Sequence, residues 1–338
     1  MSTPDRTPSL QTKFPAIGTT IFTVMSALAA EKGAVNLGQG FPDFDCDPKL
    51  VDAVADAMRK GLNQYPPMTG VPALREAISA KIEALYGRKY DPAAEITVTA
   101  GATQAIITAI LCLVRPGDEV IVLEPCYDSY VPNIELAGGT VVRVPLTPGT
   151  FRPDFGKIAA AMSPRTRAIV INSPHNPSAT VWTRAEMLQL QDLLADTDVF
   201  VISDEVYEHM VFDGQQHQSA ARFPALAARS LIVSSFGKTY HVTGWKIGYV
   251  AAPAVLTAEF RKVHQFNVFT VNTPMQYGLA SYMASPEPYL QLSAFYQRKR
   301  DLFREGLART GDDQGVVRFC FAKKDETLRT ALDRLAKL

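Results

Sequence analysis

Ser234-Ser235-Phe236-Gly237-Lys238-Thr239-Tyr240-His241-Val242-Thr243-Gly244-Trp245-Lys246-Ile247-Gly248 follows the apolar run Leu231-Ile232-Val233, which reads as a buried strand. Hydroxyls and a lysine beside a glycine turn suit an anionic group such as phosphate. A lysine held among apolar neighbours also suits attack on a carbonyl, because burial lowers its pKa. Gly237 is expected to let the backbone turn between these two jobs. Two familiar lysine motifs fail on counting. A Walker A loop ending at Gly237-Lys238-Thr239 needs glycine at position 232, which is Ile232. Ser235-Phe236-Gly237-Lys238 fits the S-x-x-K of penicillin-binding enzymes, but the chain lacks S-D-N and Lys-Thr-Gly.

Outward from this stretch the chain alternates strand and helix. Strands are expected at 96–100, 120–123, 141–144, 168–172, 199–203, 231–234 and 247–251, with helices between several of them. Thr183-Arg184-Ala185-Glu186 is a capping box. The pattern predicts an α/β fold, a mostly parallel seven-stranded sheet with helices on both faces. Ahead of it lie a loose arm over 1–13, helices near 21–31, 47–60 and 71–86, and a glycine-rich loop over 36–43. Behind it come helices near 256–264, 275–284 and 288–310, a strand over 316–322 and a last helix over 325–338.

In such sheets ligands sit in loops beyond the strand carboxyl ends. Gly101-Ala102-Thr103, Tyr127, Asn176, Asp204 with Tyr207, and Lys238 all fall there. Each alone has a plain structural explanation: a cap, a turn former, a core aromatic or a solvated lysine. Their recurrence at successive strand ends points to a site.

At 338 residues with zero net charge, the chain has room for more than one domain and no basic surface for nucleic acid or anionic membrane. Its four cysteines show no metal or disulfide spacing, and its five histidines no ligand spacing, so no metal site is expected. No apolar run spans a bilayer, and the polar start lacks a signal-peptide core, so a reducing cytoplasm is the expected location.

The chain resembles the fold type I pyridoxal-phosphate enzymes, specifically class I aminotransferases of the methionine/kynurenine (glutamine transaminase K-like) branch. The resemblance runs from about Phe14 to Thr310 and resumes at Val316. It rests on Asn36–Asp43, Asn63–Tyr65, Ala100–Thr103, Pro174–Pro177, Ser203–Tyr207, Ser234–Gly248 and Arg318–Lys323. It implies pyridoxal 5'-phosphate as cofactor. Lys238 would bond the cofactor aldehyde and then carry the proton between the substrate α-carbon and the cofactor. Asp204 would pair with the pyridine nitrogen, Tyr207 and Asn176 with the phenolic oxygen, and Tyr127 would stack on the ring. Ser235, Lys246, Ala102 and Thr103 would hold the phosphate, reached by Tyr65 from a second subunit of a homodimer. Arg318 would grip the substrate carboxylate, Asn176 would lie beside it, and Gly40 would let its loop close over the substrate.

The resemblance also implies a large cofactor-binding domain over 47–285. A smaller α+β domain would be shared between 1–46 and 286–338. Family members carry a further segment near Thr310-Gly311-Asp312-Asp313, and its loss near Gly311/Asp312 would leave that smaller domain short of a two-layer core. The implied reaction is ping-pong amino transfer from a neutral apolar, aromatic or sulfur amino acid to a 2-oxo acid. A cysteine-conjugate β-lyase would need the same lysine and cofactor. A non-catalytic regulator built on this fold would add a DNA-binding module, for which only about a dozen residues precede the first match.

Overall fold

A computed structural model describes residues 10–15, 18–307 and 318–337. Helices α1 (Ile21–Glu31), α2 (Pro48–Arg59) and α3 (Pro72–Tyr86) precede the sheet. The sheet itself begins with β1 (Ile96–Thr99), α4 (Gly101–Leu113), β2 (Glu119–Glu124), α5 (Tyr130–Leu136) and β3 (Thr140–Pro145). It continues through α6 (Phe155–Ala161), β4 (Thr166–Asn172), α7 (Arg184–Leu193), β5 (Phe200–Asp204) and α8 (Pro224–Ala227). It ends with β6 (Ser230–Ser235), the single turn α9 (Phe236–Thr239) and β7 (Gly248–Ala251). Then come α10 (Ala254–Asn267), α11 (Thr273–Tyr282), α12 (Glu287–Leu290), α13 (Leu292–Leu307) and α14 (Asp325–Leu335).

The seven strands form one sheet in the order β1-β7-β6-β5-β4-β2-β3. Strands β6, β5, β4, β2 and β3 pair in parallel, and β7 runs antiparallel to both its neighbours. Parallel strands covered on both faces need apolar residues at consecutive positions. Ile121, Leu123, Ile169, Ile171, Val201 and Ile232 face one core, and Val120, Val122, Ala168, Val170, Ile202, Leu231 and Val233 the other. Each such Val, Leu or Ile contributes roughly 1.5–3 kcal/mol on burial. The expected α/β sheet is therefore the one observed. Thr183 and Glu186 form the capping box at the start of α7.

Register decides where the site falls. Asn172 lies beside Asp204, Asp204 beside Val233, and Ser235 and Thr99 both lie beside Gly248. Side chains separated by scores of residues thus meet along one sheet edge.

The expected strand over 316–322 is not formed in its described part, 318–322. A strand needs a ladder partner, and the described part pairs with no strand; its bonds run to scattered partners, among them Cys320 N–H to the Leu37 carbonyl, Arg318 Nη2 to the Gly38 carbonyl and Arg318 Nη1 to Asn176 Oδ1, each at 2.8 Å. The expected helix over 288–310 is two helices broken at Gln291. The remainder of that helix, the Gly311/Asp312 junction and most of the arm over 1–13 lie outside the described residues. A third, small core joins Leu37 to Phe303, Leu328 and Ala331, so both ends of the chain contribute to it.

Candidate active site

The carboxyl ends of β1, β4, β5 and β6 border a cavity of about 260 Å³. Ala102, Thr103, Tyr127, Asn176, Asp204, Tyr207, Ser235, Lys238, Lys246, Gly40 and Arg318 all line it. Of the residues picked from sequence, the structure leaves only Tyr65 outside. Tyr65 is 81% exposed and packs its ring 5.5 Å from that of Phe269.

One end of the cavity suits an anion. Helix α4 opens there at Gly101, whose φ of +75° favours glycine, and the first N–H groups of a helix are unpaired donors. A Cβ on Gly101 would lie 3.5 Å from Cε and Nζ of Lys246, so the lysine side chain lies over the helix start. Lys246 itself holds a left-handed φ of 56°. Gly248 is required by close approach: a Cβ there would meet the Ser234 carbonyl oxygen at 2.8 Å and Gly101 carbon at 3.0 Å. Gly237 corrects an expectation. It has no positive φ and sits in the α9 turn, where a Cβ would stand 3.0 Å from Thr243 Cα. Close packing, and not a reversal of the backbone, requires glycine there.

The cavity floor carries Asp204, only 3% exposed. Its Oδ2 accepts from the Tyr130 hydroxyl at 2.6 Å and its Oδ1 from the Val206 N–H at 3.2 Å. Burial pushes the carboxyl up to about 6, although both donors pull it down. Lys238 donates to the Gly40 carbonyl, and its Nζ stands 5.6 Å from the Tyr207 ring centroid. Burial lowers the Lys238 pKa, with the charges of Arg318, Lys323 and Lys246 adding to the effect and Cys320 opposing it. Arg318 donates to Asn176 Oδ1 at 2.8 Å, which joins the far end of the chain to the sheet edge.

Sequence reasoning missed three groups that hold this site. Tyr130, one helical turn beyond Tyr127, supplies the hydroxyl on Asp204. Asn172 accepts from the Asn176 N–H at 2.7 Å and donates to the Asp204 carbonyl at 2.9 Å. Behind the turn after Asp204, Glu208 accepts from Lys81 and Ser234 at 2.6 Å each, and from Tyr86 at 2.5 Å. A polar residue at a strand end was the available signal for Asn172. Nothing local marks Lys81 and Glu208, which are 127 positions apart.

A second cavity of about 410 Å³ opens from the same Gly40, Asn176, Tyr207, Lys238 and Arg318. Its walls include Met210, Phe212, Tyr296 and Phe321, with His175, which burial pushes down to about 4 and so keeps neutral.

A family model described as aminotransferase class I and II matches residues 32–319. Methionine aminotransferase of Escherichia coli (strain K12) is 48% identical over 378 aligned residues, covering 97% of this chain and 98% of that protein. Since 97% of 338 residues is about 328, about 50 aligned positions of that protein have no counterpart here. Kynurenine–oxoglutarate transaminase of Dictyostelium discoideum is 35% identical over 331 residues, covering 90% of this chain and 75% of that protein. Among solved structures, Escherichia coli YbdL, described as having a methionine aminotransferase function, superposes with a TM-score of 0.94 at 46% identity. The match covers 98% of this chain and all of that one.

Proposed function

The chain belongs to the class I and II aminotransferases, enzymes that work with pyridoxal 5'-phosphate, and we propose that methionine and other neutral apolar or aromatic amino acids are its amino donors. A 2-oxo acid would accept the amino group. The observation that carries this reading is the junction of the two cavities at Lys238 and Arg318. An amine and a guanidinium there face a mainly apolar chamber, which suits an α-amino acid with an uncharged side chain.

The residues present fit the cofactor. The α4 start, Ser235 and Lys246 form a cradle for its phosphate. Asp204 is a buried acid whose two donors are neutral, so a cationic ring N–H would complete its shell. Tyr127 lines the space a flat ring would take, and Tyr207 and Asn176 add polar groups to the same lining. When bound, pyridoxal phosphate supplies a protonated ring that accepts the electron pair left on the substrate α-carbon.

The chain's own residues do the rest. Asp204 holds the ring proton, and Tyr130 and Val206 fix its carboxylate. Lys238 Nζ, made less basic by burial, would take the proton from the substrate α-carbon and return it to the carbon on the far side of the transferring nitrogen. Arg318 grips the α-carboxylate with its planar fork. Gly40 leaves space beside Lys238 and Tyr207: a Cβ there would lie 3.7 Å from Nζ and 3.8 Å from the phenol oxygen. The apolar chamber would keep water from the substrate α-carbon.

Homodimerisation is part of the same proposal. Tyr65 and Phe269, both exposed, form an aromatic patch that a second copy would cover, placing Tyr65 at the partner's phosphate cradle. We further propose a large domain over 47–285 and a smaller one drawn from both ends, on the strength of the third core. A cytoplasmic location fits four free thiols. A panel of amino donors offered with one 2-oxo acid tests the substrate class. Methionine, kynurenine and phenylalanine should exceed aspartate and lysine in kcat/KM by about tenfold or more. A preference for a charged donor would overturn it.

A further inference from the structure

The far end of the larger cavity holds a guanidinium that is already spoken for. Arg300 lines this cavity together with Asp213, Phe212 and Lys238. Its Nη1 and Nη2 donate side by side to the two oxygens of Asp213, at 2.5 and 2.6 Å. Nε and Nη2 also donate to Asp301 Oδ1, at 2.8 and 2.6 Å. The guanidinium lies over the Phe212 ring, 5.1 Å from its centroid. The loop carrying Asp213 is itself tied down, since the Asp213 N–H donates to Gln297 Oε1 at 2.9 Å.

A bidentate fork is what recognises a substrate carboxylate. Here Asp213 occupies the fork's end and Asp301 its Nε side, with the charge of Arg304 also acting on Asp213, so the fork offers an incoming carboxylate no free pair of donors. Arg300 also holds the Asp213 carboxyl below its usual range, so Asp213 stays ionised through neutral pH. Arg152, which also lines this cavity, is likewise engaged, donating to Glu186 Oε2 at 3.0 Å and to the Val181 carbonyl at 2.8 Å.

We propose that Asp213 is a specificity-determining residue: by capping Arg300 it converts a ready-made carboxylate receptor in the side-chain cavity into a surface that rejects acidic amino acids. The proposal rests on the transaminase reading above, with the donor's side chain lying in this cavity. An acidic side chain entering the cavity meets the negative edge of Asp213 and loses its water without gaining a partner. A neutral side chain meets Phe212, Met210 and the stacked guanidinium plane and pays no such cost. Removing the Asp213 charge while Asp301 still orients Arg300 weakens the hold on Nη1 and Nη2 and lets an incoming carboxylate compete for them.

The test compares wild type, Asp213→Asn, Asp213→Glu and the double variant Asp213→Asn/Arg300→Gln, each saturated with cofactor. The donors are methionine, aspartate, glutamate and 2-aminoadipate, the acids forming a length series. In Asp213→Asn, at least one acid should gain about tenfold in kcat/KM relative to methionine, the worth of one charge-assisted carboxylate contact. Asp213→Glu, which keeps the charge, should stay selective for methionine. The gain should vanish in the double variant. Calorimetric titration with glutarate gives a reading independent of turnover, and binding should tighten by a similar factor in Asp213→Asn alone. No gain with any acid, or a gain that survives loss of Arg300, overturns the proposal. A wild-type enzyme that moves no amino group from methionine, or moves it as readily from an acid, overturns instead the function on which the proposal rests.

Discussion

Asp204 concentrates the energetic conflict of the site in one carboxyl. Burial favours its protonated form, and its value of about 6 lies above the ordinary 3.8. Folding therefore carries no penalty from this group below about pH 4, and a penalty that grows to completion as pH rises through 6. At full ionisation the shift corresponds to roughly 2–3 kcal/mol in the cofactor-free protein. Asp204→Asn removes that charge and can still accept from Tyr130. Thermal melts of the cofactor-free proteins should show the variant more stable at pH 8, with the gap closing toward pH 4. The cofactor's ring nitrogen would offset the penalty, so the variant should bind cofactor more weakly although its fold is stronger. A wild type that is the more stable of the two at pH 8 without cofactor would contradict this.

Elements carry the positioning. Strand β5 and the turn after it place Asp204 and Tyr207 toward the cavity, and Glu208 on the opposite side toward α3, β6 and β7. Lys81 and Glu208 are 5% and 2% exposed at their side chains, with the Tyr249 hydroxyl 3.0 Å from Lys81 Nζ and 3.2 Å from Glu208 Oε1. Burial alone would raise the Glu208 pKa, but Lys81 and its other donors hold it below the ordinary 4.5. The pair's contribution is thus present above pH 4.5 and lost as pH falls below it. Lys81→Met leaves a buried carboxylate unpaired and should cost about 3–5 kcal/mol at pH 7, read from the urea midpoint. Adding Glu208→Gln should restore most of that loss. An unchanged midpoint in Lys81→Met would show that the pair anchors nothing.

At this scale the sequence was uneven in what it revealed. Strands such as Ile169–Ile171 and Leu231–Val233 were legible because two-sided burial writes a continuous apolar run. The ends of those strands, and hence Asp204, Asn176 and Lys238, followed from the sheet rule. The run Arg318-Phe319-Cys320-Phe321-Ala322 has strand-forming residues but no partner ladder, so composition misled. Tyr130 on Asp204, Lys81 on Glu208 and Asp213 on Arg300 are contacts across 74, 127 and 87 positions, set by packing and invisible to local pattern.

The whole molecule is expected to be a pair of chains. Tyr65 stands outside its own cavity with its ring against Phe269, and Phe266 is 86% exposed. Sedimentation should give twice 36.9 kDa. If Tyr65 serves the partner's site, mixing Tyr65→Ala with Lys238→Ala subunits rebuilds one intact site per mixed dimer. The mixture should then exceed the average activity of the two variants, whereas a monomer would show only that average. Among the described residues, the small core joining the two ends has four buried residues at its centre. About 50 aligned positions of the Escherichia coli relative are absent from this chain, and Arg318 reaches Asn176 without them.

The proton carried by Lys238 is what lets an amino group pass between two carbon skeletons. Incubating the cofactor-loaded enzyme with ¹⁵N-methionine and 2-oxoglutarate, and following the label by mass spectrometry, tests this directly. ¹⁵N should appear in glutamate, equimolar with the oxo acid formed from methionine, and Lys238→Ala should abolish the transfer. Label released as ammonium, or transfer that persists without Lys238, would contradict it.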